Sequence, residues 1–517
     1  MSWAAHLPLA PILLPLAVGA LLLLFDERQH KLKATISLAS ALYLGAAALA
    51  LLEGADAAAA RVYTLGGWPA PFGIVLVVDR LAALMLVLTA ALGLAAIAFS
   101  TARWQRAGPR FHALAQFQLA GLNGAFLTGD LFNLFVFFEL LLAASYGLAL
   151  HGAGTARVRA SLHYIAVNLT ASLLFLVGAS LLYGVAGTLN MADLAARLPA
   201  LPASDRGLAE AGAAILGVAL LVKAAMWPLG FWLPPTYAAA SAPAAALFAI
   251  LSKVGVYAVL RLWLLLFGAG GFGGELLVSG GMATLAFGII GVLASQELSR
   301  LAGFALVVSS GTLLAAIGVG DAAVTGAALY YLAVSTLGVG AFFLLVELVE
   351  RSREPGADVL AVSAAYLALD DGEGPEEEVG VAIPATMALL GLSFVCCALL
   401  LAGLPPLPGF VAKFALLAAL LEPEPVPGAA WALLVLLSLS GLAALIATGR
   451  AGVRIFWPAQ PRSVPRVRLL EMLPVAALLG ACLALTVAAG PALRYLQDTA
   501  QALHSPRAYV ESVLPPR

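Results

Sequence analysis

Charge is scarce in this sequence. Only 11% of its 517 residues are Asp, Glu, Lys or Arg, against about 25% in an ordinary soluble domain. Cysteine is scarcer still: Cys396, Cys397 and Cys482 all lie inside apolar stretches. That placement excludes a disulfide framework or a CxxC pair and leaves them as small core residues. A net charge of -1, with no basic tract, gives no footing for nucleic acid. Phosphate loops, nucleophile elbows, haem or iron–sulfur ligand sets, zinc spacings and nucleotide fingerprints are all missing. No cofactor and no metal is expected, and neither ATP use nor redox chemistry is expected within the chain.

What is abundant is apolar sequence, at 62% hydrophobic residues. Runs of roughly 20 apolar residues recur from end to end, each long enough to cross a bilayer as a helix. The expected fold is all-α, a polytopic transmembrane bundle of about 14 helices. The spans fall near 7–25, 34–52, 74–99, 112–129, 131–150, 162–186, 208–227, 240–266, 276–294, 302–319, 322–348, 383–402 continuing to 421, 430–449 and 470–490. The first run has no positive residue before it and is followed by Asp26-Glu27-Arg28, so a retained helix is expected rather than a cleaved signal. With the N-terminus outside, 16 Lys and Arg residues fall in cytoplasmic connections and 6 on the opposite side. This bias predicts both termini outside.

Two stretches interrupt the helical pattern with proline: LVKAAMWPLGFWLPP, holding Pro228, Pro234 and Pro235, and GLPPLPGFVAKF, holding Pro405, Pro406 and Pro408. Proline removes a backbone bond and frees carbonyls. In a membrane such a break persists only against protein or a water-filled cavity. PLGF at 228–231 and PLPGF at 406–410 echo each other, and paired broken helices point to inverted repeats around a midplane transport site. The longest polar segment, 350–380, carries nine acids and is expected to be a solvated cytoplasmic loop, with a docking surface for another subunit as the other reading.

The run 131–150 contains one acid, Glu139, and no base. An isolated carboxylate in hydrocarbon needs a partner. Five lysines serve the whole chain, and three of them, Lys223, Lys253 and Lys413, sit inside apolar spans while arginine supplies the other 22 basic residues. Guanidinium does not give up its proton, whereas a desolvated ammonium can. Glu139, Lys223, Lys253 and Lys413 are therefore expected to form a proton pathway. The competing reading is structural ion pairing or snorkelling, which fits Lys253 poorly because about ten apolar residues flank it on each side. His163, Asn168, Tyr257, Ser309 and Ser310 are candidates for an accessory polar path. Interhelical hydrogen bonding is the simpler reading of such residues. Trp227 and Tyr257, four residues after Lys223 and Lys253, are expected to share their faces, Glu347 to reach water, and Asp130 to sit at an interface or cap a helix.

LTGDLFNLFVFFELLLAASYGL at 127–148, GTLNMADL at 187–194, the stretch LVKAAMWPLGFWLPPTYAAASAPAAALFAILSKVGVYAVLR at 221–261 and GLPPLPGFVAKF at 403–414 carry a resemblance. The chain resembles the antiporter-like subunits shared by Mrp-type multisubunit sodium/proton antiporters and respiratory complex I, the first stretch being most similar to the D-type Mrp protein. The resemblance implies two inverted five-helix repeats, with three helices at 1–110, repeats at 111–270 and 271–460, and a final helix and tail at 461–517. It also implies a polar axis in which Glu139, Lys223, Lys253 and Lys413 match the family's functional positions. Lysine at 413 departs from complex I subunits that carry glutamate there. The expected function is a subunit of a monovalent cation (Na+)/proton antiporter in a bacterial-type plasma membrane. Other membrane subunits are its expected partners and Na+ and H+ its substrates. The alternative is a proton-pumping membrane subunit of a complex I-type NADH:quinone oxidoreductase or membrane hydrogenase.

Overall fold

The computed structural model describes residues 3–26, 28–56, 60–108, 110–152, 154–268, 271–351, 385–457 and 467–514. A helix stands at each of the fourteen expected positions, because in lipid a chain must satisfy its own backbone polar groups. Among the described residues twelve helices are long and apolar enough to cross a membrane. Two more are not among these twelve. Phe111–Leu127 carries His112, Gln116, Gln118 and Asn123, all buried, and Ala203–Lys223 ends on its lysine. The acidic stretch expected at 350–380 lies, beyond Arg351, outside the described residues.

The centre of the bundle is Ala322–Glu350, buried along nearly its whole length. Leu298–Val319, Pro408–Leu421, Leu469–Val487 and Ala489–His504 pack around it. Elsewhere small residues let helices approach closely, as helix association in lipid requires. At Gly311 a Cβ would stand 2.5 Å from the backbone nitrogen of Leu285 on Gly274–Ala294.

The structure corrects one expectation of the span pattern. The helix expected from 74 begins at Arg80, and Val75–Val78 is a strand paired antiparallel with Arg61–Thr64, Arg61 opposite Val78. Three of its four residues are β-branched, which suits a strand. Asp79 then caps the helix, accepting from the Ala82 amide at 2.8 Å. The expected tail contains an amphipathic helix, Ala489–His504, and a short helix, Arg507–Val513. Gln497 ties the first to Ala323 O at 3.2 Å.

Candidate functional site

Each proline break falls beside a lysine. Ala203–Lys223 stops at Lys223, and two residues on Ala225 takes a left-handed φ of 59°, a conformation that costs an L-residue about 1–2 kcal/mol. The break is held by its neighbours. Trp232 Nε1 donates to Val222 O at 3.2 Å, and the Trp227 amide donates to Thr284 Oγ1 at 2.9 Å. Ala385–Ala402 stops before Gly403, at φ 75°, and Pro408 opens the next helix. There Lys413 Nζ donates to the freed carbonyl of Ala402 at 3.1 Å.

The expected pair of Glu139 and Lys223 is a three-membered link. Ser172 on Thr155–Ala186 donates its hydroxyl to Glu139 Oε1, and Lys223 Nζ donates to the same Ser172 Oγ at 3.3 Å. Among the described residues no direct ion pair joins the acid and the lysine. The Phe138 ring centre lies 4.9 Å from the ammonium nitrogen.

Lys253, fully buried, donates to Ser309 Oγ at 2.7 Å, and Ser309 pairs with Ser335 Oγ at 2.9 Å. Lys413 donates to Ser440 Oγ at 3.1 Å. Between Ser335 and Ser440 lies a cavity of about 40 Å³, also walled by Tyr331, Gly338 and Gly409. A cavity needs about 10–15 Å³ of such volume to hold one water, so this one has room for at least one. Neither lysine lines this mostly apolar chamber, but the serine file from Lys253 reaches it at Ser335 and the serine bonded to Lys413 reaches it at Ser440. Lys223 and Lys253 have no hydrogen-bonded link between them among the described residues. Their segments touch at Gly255, where a Cβ would stand 2.6 Å from the carbonyl carbon of Lys223.

The accessory residues divide. Ser309 joins the lysine chain. Asn168 is buried but donates to Tyr164 O on its own helix, at 3.0 Å. Tyr257 donates to Phe126 O at 2.6 Å and accepts from Arg261 Nη2 at 3.2 Å. The structure does not bring the other two to the path. His163 is exposed and its Nδ1 lies 3.0 Å from Arg159 O, while Ser310 Oγ is buried without a hydrogen-bond partner among the described residues. Trp227 does not share Lys223's face, because the helix has ended before it, and it is 46% exposed. Glu347, expected to reach water, pairs with Arg351 at 2.5 Å and accepts from Trp104 Nε1 at 2.6 Å. Arg351 also pairs with the buried Glu471 at 2.7 Å. Asp130 caps its helix, accepting from the Asn133 amide at 2.9 Å.

Ser172 and Ser335 look like ordinary interhelical serines in the sequence, and Ser440 gives no signal at all, since what marks each is the lysine that reaches it. Among the described residues no group of three or more His, Cys, Asp or Glu side chains is placed to hold a metal ion.

The family described as NADH:quinone oxidoreductase/Mrp antiporter, TM, matches residues 128–442. The chain belongs to this family. It is 59% identical to the D-type subunit of a probable K(+)/H(+) antiporter of Rhizobium meliloti, over 99% of this chain and 98% of the relative. It is 34% identical to the D-type subunit of the Na(+)/H(+) antiporter of Alkalihalophilus pseudofirmus, over 98% of this chain and 99% of the relative. A chain in the structure of the Mrp complex from Dietzia superposes with a TM-score of 0.84 at 26% identity, covering 100% of both. The family match spans both proline breaks and all four candidate ionisable residues.

Proposed function

We propose that this chain is a transporter subunit, not an enzyme, of a multisubunit monovalent cation/proton antiporter, and that Glu139, Lys223, Lys253 and Lys413 hold and pass its protons. The single observation that carries the reading is the file Lys253–Ser309–Ser335–cavity–Ser440–Lys413, buried at its Lys253 end and part-buried at Ser335 and Lys413. A scaffold has no need of a cavity between two lysines. Two unit charges about 10 Å apart still interact by about 2 kcal/mol at an effective dielectric of 20. Protonation at one site therefore alters occupancy at the next, and loosening of the Glu139–Ser172–Lys223 link changes the field felt at Lys253.

In this reading residues 111–270 and 271–460 are two inverted repeats, each with one broken helix and its lysine. Residues 1–110 and 461–517 flank them. The membrane is a bacterial-type plasma membrane with both termini outside, and other membrane subunits complete the transporter. Sodium and potassium are the two candidate cations, and the 59% identity to a protein named for K(+)/H(+) exchange adds potassium to the sodium expected from sequence. A redox-driven proton pump is the second reading, favoured by the NADH:quinone oxidoreductase half of the family description.

Vesicles carrying the whole complex test the function. With an imposed pH gradient, addition of Na+ or K+ is expected to drive proton movement without NADH or quinone. Proton movement that needs a redox substrate and ignores both cations would transfer the chain to the second reading.

A further inference from the structure

A second cavity, of about 110 Å³, lies where membrane-length helices end. Its wall includes Ser295, Gln296 and Glu297, in the turn between Gly274–Ala294 and Leu298–Val319, and Arg450 and Arg454 near the end of Gly428–Phe456. Gly274–Ala294 has 21 residues, about 31 Å of helix and so one hydrocarbon thickness. The cavity therefore sits at headgroup depth, on the cytoplasmic face in the proposed orientation.

The end of the helix fixes where the arginines stand. The last carbonyls of a helix have no partner within it. Arg450 Nη2 donates to Leu293 O at 2.7 Å and to Ser295 O at 3.2 Å, and Arg454 Nη2 donates to Gln296 O. Both Arg450 bonds leave from one nitrogen, and a guanidinium carries five N–H groups, enough to hold an anion as well. Two guanidiniums against one exposed carboxylate, Glu297, leave the wall net positive. The outward surface beside them is apolar. Ile446 and Val453, four residues before and three after Arg450, share its face, and both are exposed. Leu293 and Ile290, one turn apart on the facing helix, are exposed as well. Trp457, 83% exposed, follows the end of the arginine helix, a position at which tryptophan marks the membrane–water boundary.

We propose that this cavity seats the headgroup of an anionic phospholipid, its phosphate on Arg450 and Arg454 and its acyl chains along the exposed apolar surface of the two helices. Basic pockets between membrane helices suit such headgroups. A soluble anion would use the arginines and leave the apolar surface uncovered, whereas a lipid satisfies both. Leu301 lines this cavity and also the chamber at Ser440. The seated lipid thus braces the helix on which Ser440 meets Lys413. Neither the cavity nor its lipid depends on a proton-carrying role for any lysine.

The test uses the assembled complex in phosphatidylcholine vesicles with and without phosphatidylglycerol. Phosphatidylglycerol is expected to raise the melting temperature of the native complex. Arg450→Gln combined with Arg454→Gln is expected to abolish most of that rise, whereas a merely structural loss would lower the melting temperature equally in both lipids. Gln296→Glu keeps both arginines and adds a carboxylate to the cavity wall. It is expected to weaken the phosphatidylglycerol response about fivefold, the equivalent of about 1 kcal/mol for one charge near an anionic leaflet. Arg494→Gln, exposed on Ala489–His504, is expected to keep the native response. A native response in the double variant overturns the seat, and if that variant does not assemble, a native response in Gln296→Glu does so. A native complex that ignores phosphatidylglycerol, the result if a neighbouring subunit covers the seam, also overturns it. So does an equal rise on adding inorganic phosphate to phosphatidylcholine vesicles, which would assign the arginines to a soluble anion.

Discussion

Gly255 lies flat against Ala224: a Cβ on the glycine would stand 2.4 Å from the alanine's backbone nitrogen. The contact joins the helix of Lys253 to the break that follows Lys223, and backbone atoms cannot rotate away. Gly255→Ala is expected to cost about 1–3 kcal/mol through overpacking and to lower both transport and the melting temperature of the purified complex. An unchanged melting temperature would mean that the two segments separate freely.

Ser172 is expected to matter through its oxygen. Hydrogen bonds to charged groups are worth about 1.5–3 kcal/mol each, so Ser172→Ala is expected to slow cation-driven proton transport about tenfold to a hundredfold. Ser172→Thr retains a hydroxyl and is expected to keep more activity than the alanine variant. Equal rates for the two would argue that Glu139 and Lys223 communicate without the serine.

The chamber between Ser335 and Ser440 can be filled without crowding the backbone. At Gly338, which lines it, an added Cβ meets only Leu400, at 3.6 Å and 3.7 Å. Gly338→Ala is expected to be stable, helped by about 1 kcal/mol of helix propensity. Gly338→Val extends into the chamber and is expected to assemble but to transport more slowly. Transport by the valine variant at the alanine variant's rate would mean that protons do not cross this space.

Arg351 holds two acids at once, Glu347 and Glu471, with side chains 16%, 15% and 3% exposed. Arg351→Met leaves both carboxylates without their cation, a loss of about 3–5 kcal/mol for a buried pair. Thermal unfolding of the complex is expected several degrees lower. An unshifted transition would mean that water already solvates the cluster.

Much of this architecture is legible in the sequence because lipid leaves few alternatives. Long apolar runs must be helices, and the proline-containing stretches around Pro228 and Pro406 mark where helices break. The rare lysines identify themselves for the same reason: an ammonium at the centre of an apolar run needs an explanation. The strand Val75–Val78 escapes, since four apolar residues ahead of a long helix carry no period of their own. Ser440 escapes because a serine in an apolar helix is ordinary until a lysine on another helix points at it. Arg261 is visible only as a basic residue near a span end, and its two-pronged bond to Asp79 spans 182 positions of sequence. The lone His163 is conspicuous in sequence yet faces outward, because nothing in a helical pattern alone says which side the bundle occupies.

The central claim is that buried ionisable side chains carry the protons. Cation-dependent proton transport in vesicles holding the whole complex, compared between the native chain and Glu139→Ala, Lys223→Ala and Lys253→Ala, tests it most directly. The account predicts assembled complexes with transport reduced by at least about a hundredfold, the lower end for loss of a positioned proton donor or acceptor. Assembled complexes that exchange Na+ or K+ for protons at the native rate would contradict it.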